Sequence, residues 1–474
     1  MVTPAGADNP SPTGFGYAAA TAANEGYGLR REALSPMETL AQSVSTIAPS
    51  TTPVATIPLV WALAGNGTWL AYVLATAAIL LVGWCISQFA RYSSSPGSLY
   101  TYAEMILPQW ASAVTAWSLF LAYVATGSSV IGGFYQYANL LLRDATGHVM
   151  STVVLALIVT GVSTWVAWRD IKISARLMLW IEVVSLVFIL SVVILVFARH
   201  GHRLDMAQLR LNGVSGSGLR LGLVLALFSF VGFESATTLG SEARDPLRTI
   251  PRAVMQCAII GGAFFTICAY IEVLGFGAAG QDLGKSDAPM HVLAQVAHAP
   301  LLGTLIDIGA VVSLFACTLG CITAAARVLM LMAHNGLAHG KLSSTHERNR
   351  TPHIAVVVAG GAVVLPVVVL AVTGAKGLDV YGWMGSLATY GFIVAYALVC
   401  LALPRYLRMH GAMTATARAL SGLASAAMLL ALVGNLYPVP EGIYGKLPYV
   451  YLAYLALGML WVFVRPGKRT LPQA

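Results

Sequence analysis

Long runs of apolar residues, separated by short polar segments, dominate the chain from about residue 39 to its end. Each run is close to the roughly 20 residues that an α-helix needs to cross a lipid bilayer. The pattern predicts an all-α integral membrane protein with twelve transmembrane helices, at residues 39–63, 68–90, 109–142, 148–168, 173–198, 218–242, 253–277, 300–334, 353–373, 379–403, 414–436 and 447–465.

The composition excludes an ordinary soluble protein. Hydrophobic residues make up 57% of the chain and charged residues only 10%, whereas a soluble domain is about 25% charged. The net charge of +8 does not indicate nucleic acid, because basic residues in a membrane protein usually set its topology. We therefore expect a multi-pass protein of the cell membrane that contacts the lipid bilayer and no nucleic acid, and the oligomeric state is left open.

The distribution of basic residues predicts the orientation. With the N-terminus in the cytoplasm, 19 lysines and arginines fall on the cytoplasmic side and 8 on the other, which accounts for all 27. Cytoplasmic loops of membrane proteins carry the excess of basic residues, so both termini are expected to be cytoplasmic. Residues 1–38 are rich in small and polar residues and are expected to form a disordered cytoplasmic tail.

The first predicted span contains a helix-breaking sequence near its middle. Pro49 and Pro53 bracket three hydroxyl residues, Ser50, Thr51 and Thr52. A proline inside a helix costs about 3 kcal/mol and removes a backbone hydrogen bond. We expect the helix to unwind here, although a kinked but continuous helix is the simpler alternative.

The sixth span is also expected to be interrupted, close to Gly232 and Ser229. Glu234 lies within this span, and an ionisable residue at membrane depth indicates a functional site. Two interrupted helices at matching places in two inverted halves are typical of the central binding site of a transporter.

Three motifs resemble those of the amino acid–polyamine–organocation (APC) permeases. They are Phe230-Val-Gly-Phe-Glu234 followed by Ser241 to Pro251, Ala324-Ala-Ala-Arg327 continuing to Thr351-Pro352, and Lys172-Ile-Ser-Ala-Arg176. The resemblance covers roughly residues 39 to 405. It implies a five-plus-five inverted-repeat (LeuT-like) fold with helices 1 and 6 broken, and import or exchange of amino acids or amines.

The resemblance also implies a division of the chain. The tail of residues 1–38 would precede a first repeat at 39–198, an extracellular loop at 199–217 and a second repeat at 218–405. Residues 406–474 would add the last two spans and a short cytoplasmic tail.

One segment departs from the family pattern. Relatives commonly carry a Gly-Ser-Gly type run at the break of the first helix, where backbone amides hold the substrate carboxylate. No glycine lies between Gln42 and Pro58 in this chain. Side chains and prolines reduce the access to backbone donors there, so an amine or an unusually shaped amino acid becomes a more plausible substrate.

The substrate is expected to bind between the two interruptions. Phenylalanines of the sixth span either line this site or only pack, and Phe230 is the best placed to line it. The expected substrate-binding residues are Ile47, Ala48, Ser50, Thr51, Thr52, Phe228, Ser229, Phe230, Gly232 and Phe233. Glu234 is expected to keep the second interruption open by accepting hydrogen bonds, from the first span among other sources, rather than to contact substrate.

Residues of the fifth span suggest two possible coupling ions. Ser185 aligns with the position where some proton-coupled relatives carry a lysine. Either Ser185 and Ser313 help to form a sodium site, or Glu182 carries a proton, since an apolar environment disfavours the charged form of a carboxyl. Glu182 as a purely structural acid is the simpler alternative. We favour protons over sodium, because no acidic residue of the first or eighth span lies near the interruption.

Other residues receive more limited expectations. Tyr390 in the tenth span is expected to face the pathway as a gating residue. Glu272 and Asp307, near the extracellular ends of their spans, are expected to be solvated or structural. No ATP-binding Gly-x-x-x-x-Gly-Lys-Ser/Thr loop occurs in the sequence. Gradients across the membrane are therefore expected to drive transport, and no cofactor is expected.

Two other classes of protein remain to be weighed. A membrane enzyme is disfavoured, because all ten histidines lie outside the centres of the spans and no metal-ligand pattern is present. A nutrient sensor with the transporter fold stays open.

Overall fold

The computed structural model describes residues 27–169, 171–200, 204–437, 439 and 442–464, without the side chains of 171–179 and 181. The described part is helical, apart from one isolated parallel bridge between Leu34 and Ala243. The α-helices are α1 Pro36–Ile47, α2 Ile57–Ala64, α3 Thr68–Ala90, α4 Leu99–Ile106, α5 Gln109–Thr146, α6 Thr152–Arg169, α7 Ile171–His200, α8 Met206–Leu209, α9 Gly216–Phe228, α10 Pro246–Ala279, α11 Pro289–Val296, α12 Pro300–His334, α13 His353–Val372, α14 Gly377–Met409, α15 Ala415–Leu436 and α16 Leu447–Val464.

The described residues contain 10 candidate membrane spans by length and apolar composition. One of these, Pro36–Ala90, includes both the first and the second predicted helices, and the apolar helix Gly216–Phe228 is too short to be counted. The finding supports an all-helical membrane protein, and the number twelve stays a prediction. The predicted eighth span, 300–334, coincides with α12.

Helices α5, α12 and α14 form the centre of the molecule, and most of their residues are buried. Glycine permits close packing between α5 and α14, because a Cβ on Gly132 would lie 2.7 Å from the carbonyl oxygen of Gly377. Small residues allow membrane helices to approach in this way. Helices at the periphery, such as α16, expose large apolar side chains including Leu457 and Phe463, as a lipid-facing surface requires.

A segment before α1 is attached to the loop that precedes α10. The amide of Leu34 donates to the carbonyl of Glu242 at 3.0 Å, and the amide of Arg244 donates to the carbonyl of Leu34 at 2.9 Å. Leu34 itself is fully buried. Leu34 belongs to the segment 1–38 expected to be a disordered tail, and these contacts and the start of α1 at Pro36 show that the end of this segment is ordered. Residues 1–26 of the predicted tail lie outside the described residues.

Candidate functional site

The backbone leaves the α-helical conformation after Ile47, and residues 48–56 form what we call the first interruption. Helix α1 begins with a capping box, in which Ser35 and Glu38 satisfy each other's backbone amides. It ends at Ala48, which adopts a left-handed conformation with φ of 42°, and Pro49 follows. A π-helical turn at Thr52–Thr56 then leads into α2. The α-helical geometry thus stops directly before Pro49, and a broken first transmembrane helix stays a prediction.

A second interruption, residues 229–234, separates α9 from a 3-10 helical turn at Ser235–Leu239. Gly232 has a φ of +87° there, and a Cβ on it would lie 2.3 Å from Thr46 Cγ2. Only glycine fits this left-handed position at such a close approach. The second interruption thus contacts the last turn of α1, directly before the first interruption.

Hydrogen bonds hold the turn after the second interruption against α1. The Ser235 hydroxyl donates to Thr46 Oγ1 at 2.9 Å and lies 3.1 Å from the carbonyl oxygen of Gln42. The amide of Ala236 donates to Ser43 Oγ at 2.9 Å. A side chain of α1, Ser43, therefore satisfies one backbone amide of this turn, and the Ser235 side chain adds a second connection to α1.

All of the expected substrate-binding residues are buried at or beside these two interruptions. The Thr51 hydroxyl donates to the carbonyl of Ala48 at 2.7 Å, whereas the buried hydroxyl of Thr52 has no partner among the described residues. Ser229 Oγ lies 3.2 Å from the hydroxyl of Tyr72 on α3. Both interruptions thus contain buried hydroxyl groups. The role of these groups in substrate binding stays a prediction.

The three phenylalanines at or directly before the second interruption all have aromatic neighbours. Phe228 packs edge-on against Tyr381, with ring centroids 5.6 Å apart, and Phe230 packs edge-on against Phe265 at 5.1 Å. Phe233 meets Tyr396 at 5.7 Å. These contacts account for their burial and leave both packing and lining open.

Glu182 on α7 forms a fully buried polar cluster with two serines of other segments. The Ser313 hydroxyl of α12 donates to Glu182 Oε1, and Ser50 of the first interruption donates to Oε2 at 3.3 Å. Ser50 Oγ and Ser313 Oγ are 2.5 Å apart. The structure thus brings together Glu182, Ser313 and the first interruption, which the sequence could only propose as separate candidates.

Ser185 lies one helical turn beyond Glu182 and makes a different contact. Its hydroxyl donates to the carbonyl of Gly309 at 3.1 Å, so it is bonded to α12 rather than to the cluster around Glu182. Within the described residues, no group of three or more His, Cys, Asp or Glu side chains could hold a metal ion.

Glu234 accepts hydrogen bonds from two tyrosine hydroxyls. Tyr123 of α5 donates to Oε1 at 2.7 Å and Tyr396 of α14 donates to Oε2 at 2.5 Å. Hydroxyl donors were expected, but the first span contributes none of the hydrogen bonds described for this carboxyl. Glu234 therefore fastens the second interruption to the two central helices.

Tyr390 is not brought together with the other candidates. Its hydroxyl donates to the carbonyl of Asn435 on α15 at 3.2 Å, and its ring stacks on Tyr451 of α16. These contacts favour packing between α14 and the last two helices over the gating role expected from the sequence.

The two acids expected to be solvated or structural are both buried. Glu272 on α10 has no exposed surface, and Asp307 on α12 has only 1%. Asp307 Oδ2 lies 2.7 Å from His291 Nδ1 on α11. This contact supports a structural role for Asp307. Neither side chain is exposed at the surface of the protein, so the expectation of solvated acids is wrong for both.

Sequence reasoning missed several residues of the site because their partners are remote in the chain. Tyr123 and Tyr396 were not candidates, and neither was Tyr137, whose hydroxyl donates to the carbonyl of Val54 in the first interruption at 2.6 Å. A tyrosine in an apolar span carries no periodic signal of its own. The only available hint was that an isolated buried carboxyl needs donors.

Similarity to known proteins agrees with this geometry. The amino acid permease family model matches residues 40–463. A branched-chain amino acid permease of Bacillus subtilis is 24% identical over 315 residues, which are 62% of this chain and 65% of that protein. An uncharacterised transporter of Mycobacterium tuberculosis is 29% identical over 342 residues, 71% of each chain.

A further relative and a solved structure extend the comparison. A methylthioribose transporter of Bacillus subtilis is 20% identical over 372 residues, 75% of this chain and 77% of that one. The structure of a Na+-coupled sialic acid symporter with the LeuT fold has a TM-score of 0.51 and 14% identity, and it covers 89% of this chain and 97% of its own. The family model spans nearly the whole sequence, and this chain belongs to the amino acid permease family.

Proposed function

We propose that the chain moves an amino acid or a related amine across the cell membrane by alternating access, as a secondary active transporter. The single observation that carries the proposal is the close approach of Gly232, in the second interruption, to Thr46 in the last turn of α1, beside the first interruption. Interrupted helices that meet near mid-membrane are the usual binding site of transporters built from inverted repeats. Family membership and transporter relatives support the same function.

The proposal includes the topology expected from the sequence. Twelve spans would form two inverted repeats, residues 39–198 and 218–405, with helices 1 and 6 broken and both termini in the cytoplasm. The substrate would bind between residues 47–53 and 228–233. The two tyrosines that hold Glu234 would keep the second interruption in place while the repeats move against each other.

For the coupling ion we propose the proton, carried by Glu182. Its carboxyl is fully buried and contacts two serine hydroxyls, and none of its described contacts is with a cationic side chain. A buried carboxyl in such surroundings favours its uncharged, protonated form. Because Ser50 belongs to the first interruption, a change in the protonation of Glu182 would act directly on the substrate site.

Sodium coupling is the second candidate. The hydroxyls of Ser50 and Ser313 are oxygen ligands of the kind that hard cations accept, and they lie beside a carboxylate. The hydroxyl of Ser185 already donates to Gly309, which weakens the sodium site expected from the sequence. The same fold would also serve exchange of this class of substrate, or a nutrient sensor that performs no net transport.

Radiotracer uptake by the purified protein in proteoliposomes tests the proposal. We expect uptake to rise with an inward proton gradient, to continue when choline replaces sodium, and to lose its pH response in Glu182→Gln. Glu104→Gln is the matched control, because Glu104 is an exposed acid on α4 that bonds Asn335. Uptake that requires sodium at constant pH would contradict proton coupling. Binding of substrate without any uptake would support a nutrient sensor.

A further inference from the structure

Glu272 is the buried acid that the proposed mechanism does not use. It lies in the last two turns of α10 and has no exposed surface, and neither of its carboxyl oxygens has a hydrogen-bond partner among the described residues. The other two fully buried carboxyls near the site, Glu182 and Glu234, each accept two hydroxyl hydrogen bonds. A structural acid should resemble them, and Glu272 does not.

The position of Glu272 on α10 connects it to the substrate site. Phe265 lies two turns earlier on the same helix, so the two side chains share one face of α10. Phe265 packs edge-on against Phe230 of the second interruption, with ring centroids 5.1 Å apart, and its ring centroid lies 6.0 Å from that of Tyr72 on α3. The hydroxyl of Tyr72 lies 3.2 Å from Ser229 Oγ in the same interruption. Glu272 therefore lies roughly 10 Å along α10 from a residue that contacts a segment expected to bind substrate.

No basic side chain in the described contacts balances this carboxyl. Lys285, in the turn that follows α10, pairs with Asp282 and is mostly exposed, and His291 on α11 pairs with Asp307. A charged group buried without a partner costs several kcal/mol or more, and acids inside membrane spans usually mark a substrate or ion pathway. A ligand with a positive charge would satisfy both oxygens.

We propose that Glu272 binds an ammonium group of the substrate, and that the transporter selects amino acids or amines with a second, cationic end. One end of the substrate would lie between the two interruptions, and the ammonium group at the other end would donate to the Glu272 carboxylate. Charged hydrogen bonds of this kind are about twice as strong as neutral ones. Pro49 and Pro53 have no backbone N–H to donate, which reduces the part that a carboxylate can play in recognition.

This inference rests on the proposed transport function, and a pair of compounds of similar shape tests it separately. Lysine and norleucine have the same carbon chain and differ in the terminal ammonium group. We expect lysine to inhibit tracer uptake by the wild-type protein at a concentration at least about tenfold lower than norleucine, since a charged hydrogen bond is lost in norleucine. Equal inhibition, or a preference for norleucine, would overturn the inference while leaving transport intact.

Variants assign the preference to Glu272. Glu272→Gln keeps the shape of the side chain and should reduce the apparent affinity for lysine about tenfold or more, with norleucine changed by less than about threefold. Asp307→Asn is the matched control, a buried acid already paired with His291, and should keep the lysine preference. A Glu272→Gln protein that retains the preference overturns the assignment.

Folding and failure of function are distinguished by two further measurements. Removing a buried charge leaves the fold intact, so the melting temperature of Glu272→Gln in detergent should match or exceed that of the wild type; Glu272→Asp, which keeps the charge, should retain part of the lysine preference. If Glu272→Gln does not fold, a reduced lysine preference in Glu272→Asp supports the inference, and full retention of the preference there contradicts it. Absence of uptake for every amino acid and amine would contradict the proposed function instead.

Discussion

Arg327 and Glu242 form a fully buried, two-pronged ion pair between α12 and the loop before α10. Arg327 Nε lies 2.7 Å from Glu242 Oε2, and Nη2 lies 2.8 Å from Oε1. The two side chains have 1% and 0% of their surface exposed. The backbone of Glu242 also accepts the amide of Leu34, so the pair anchors a junction of three segments.

Arg327→Met should lower the stability of the protein by about 3–5 kcal/mol, because it leaves the Glu242 charge buried without its partner. The double variant Arg327→Met/Glu242→Gln should recover much of that loss. Melting temperatures of the purified variants in detergent measure both effects. A double variant no more stable than Arg327→Met would contradict this account.

An exposed ion pair in the same region provides the control. Arg248 lies 3.8 Å from Asp245, and both side chains are more than half exposed. Such pairs contribute at most about 1 kcal/mol, so Arg248→Met should leave the melting temperature almost unchanged.

Gly232→Ala should abolish or strongly reduce uptake. The substitution places a Cβ 2.3 Å from Thr46 Cγ2 at a position with φ of +87°, and the backbone strain alone costs on the order of 1–3 kcal/mol. The second interruption would have to move away from the end of α1, so substrate affinity should fall together with the rate of uptake. Gly361→Ala is the control, because a Cβ there meets nothing within 4 Å. Normal uptake by Gly232→Ala would show that the contact is dispensable.

The sequence predicted those features of the helices that depend on apolar length or on the backbone of a single residue. Apolar length located the spans, and the predicted first interruption begins at Pro49, next to the observed end of α1 at Ile47. Proline and glycine act through their own backbone, so their effect is local. Ser50 was a candidate for the same reason, since it lies between two prolines.

Contacts between distant segments could not be predicted. The chain gives no sign that Ser50 and Ser313 meet at Glu182, because uniformly apolar helices show little periodicity that would orient one face. Glu272 was expected to be solvated or structural because it lies near the end of an apolar run. The structure buries it completely, and hydropathy along a single chain does not report which positions other helices cover.

The carboxyl of Glu234 should be required for the conformational cycle and not for binding. Tyr123 and Tyr396 hold it from two central helices, and hydrogen bonds to a charged group contribute about 1.5–3 kcal/mol each. Glu234→Gln and Tyr396→Phe should both reduce uptake about tenfold or more, with substrate affinity within about threefold of wild type. Uptake and equilibrium binding to the same purified protein separate the two quantities.

Tyr454→Phe is the control. It removes a hydroxyl whose one described hydrogen bond is to the Trp117 carbonyl, and it should behave as wild type. Equal losses of binding and uptake in Glu234→Gln would instead make Glu234 a direct substrate ligand.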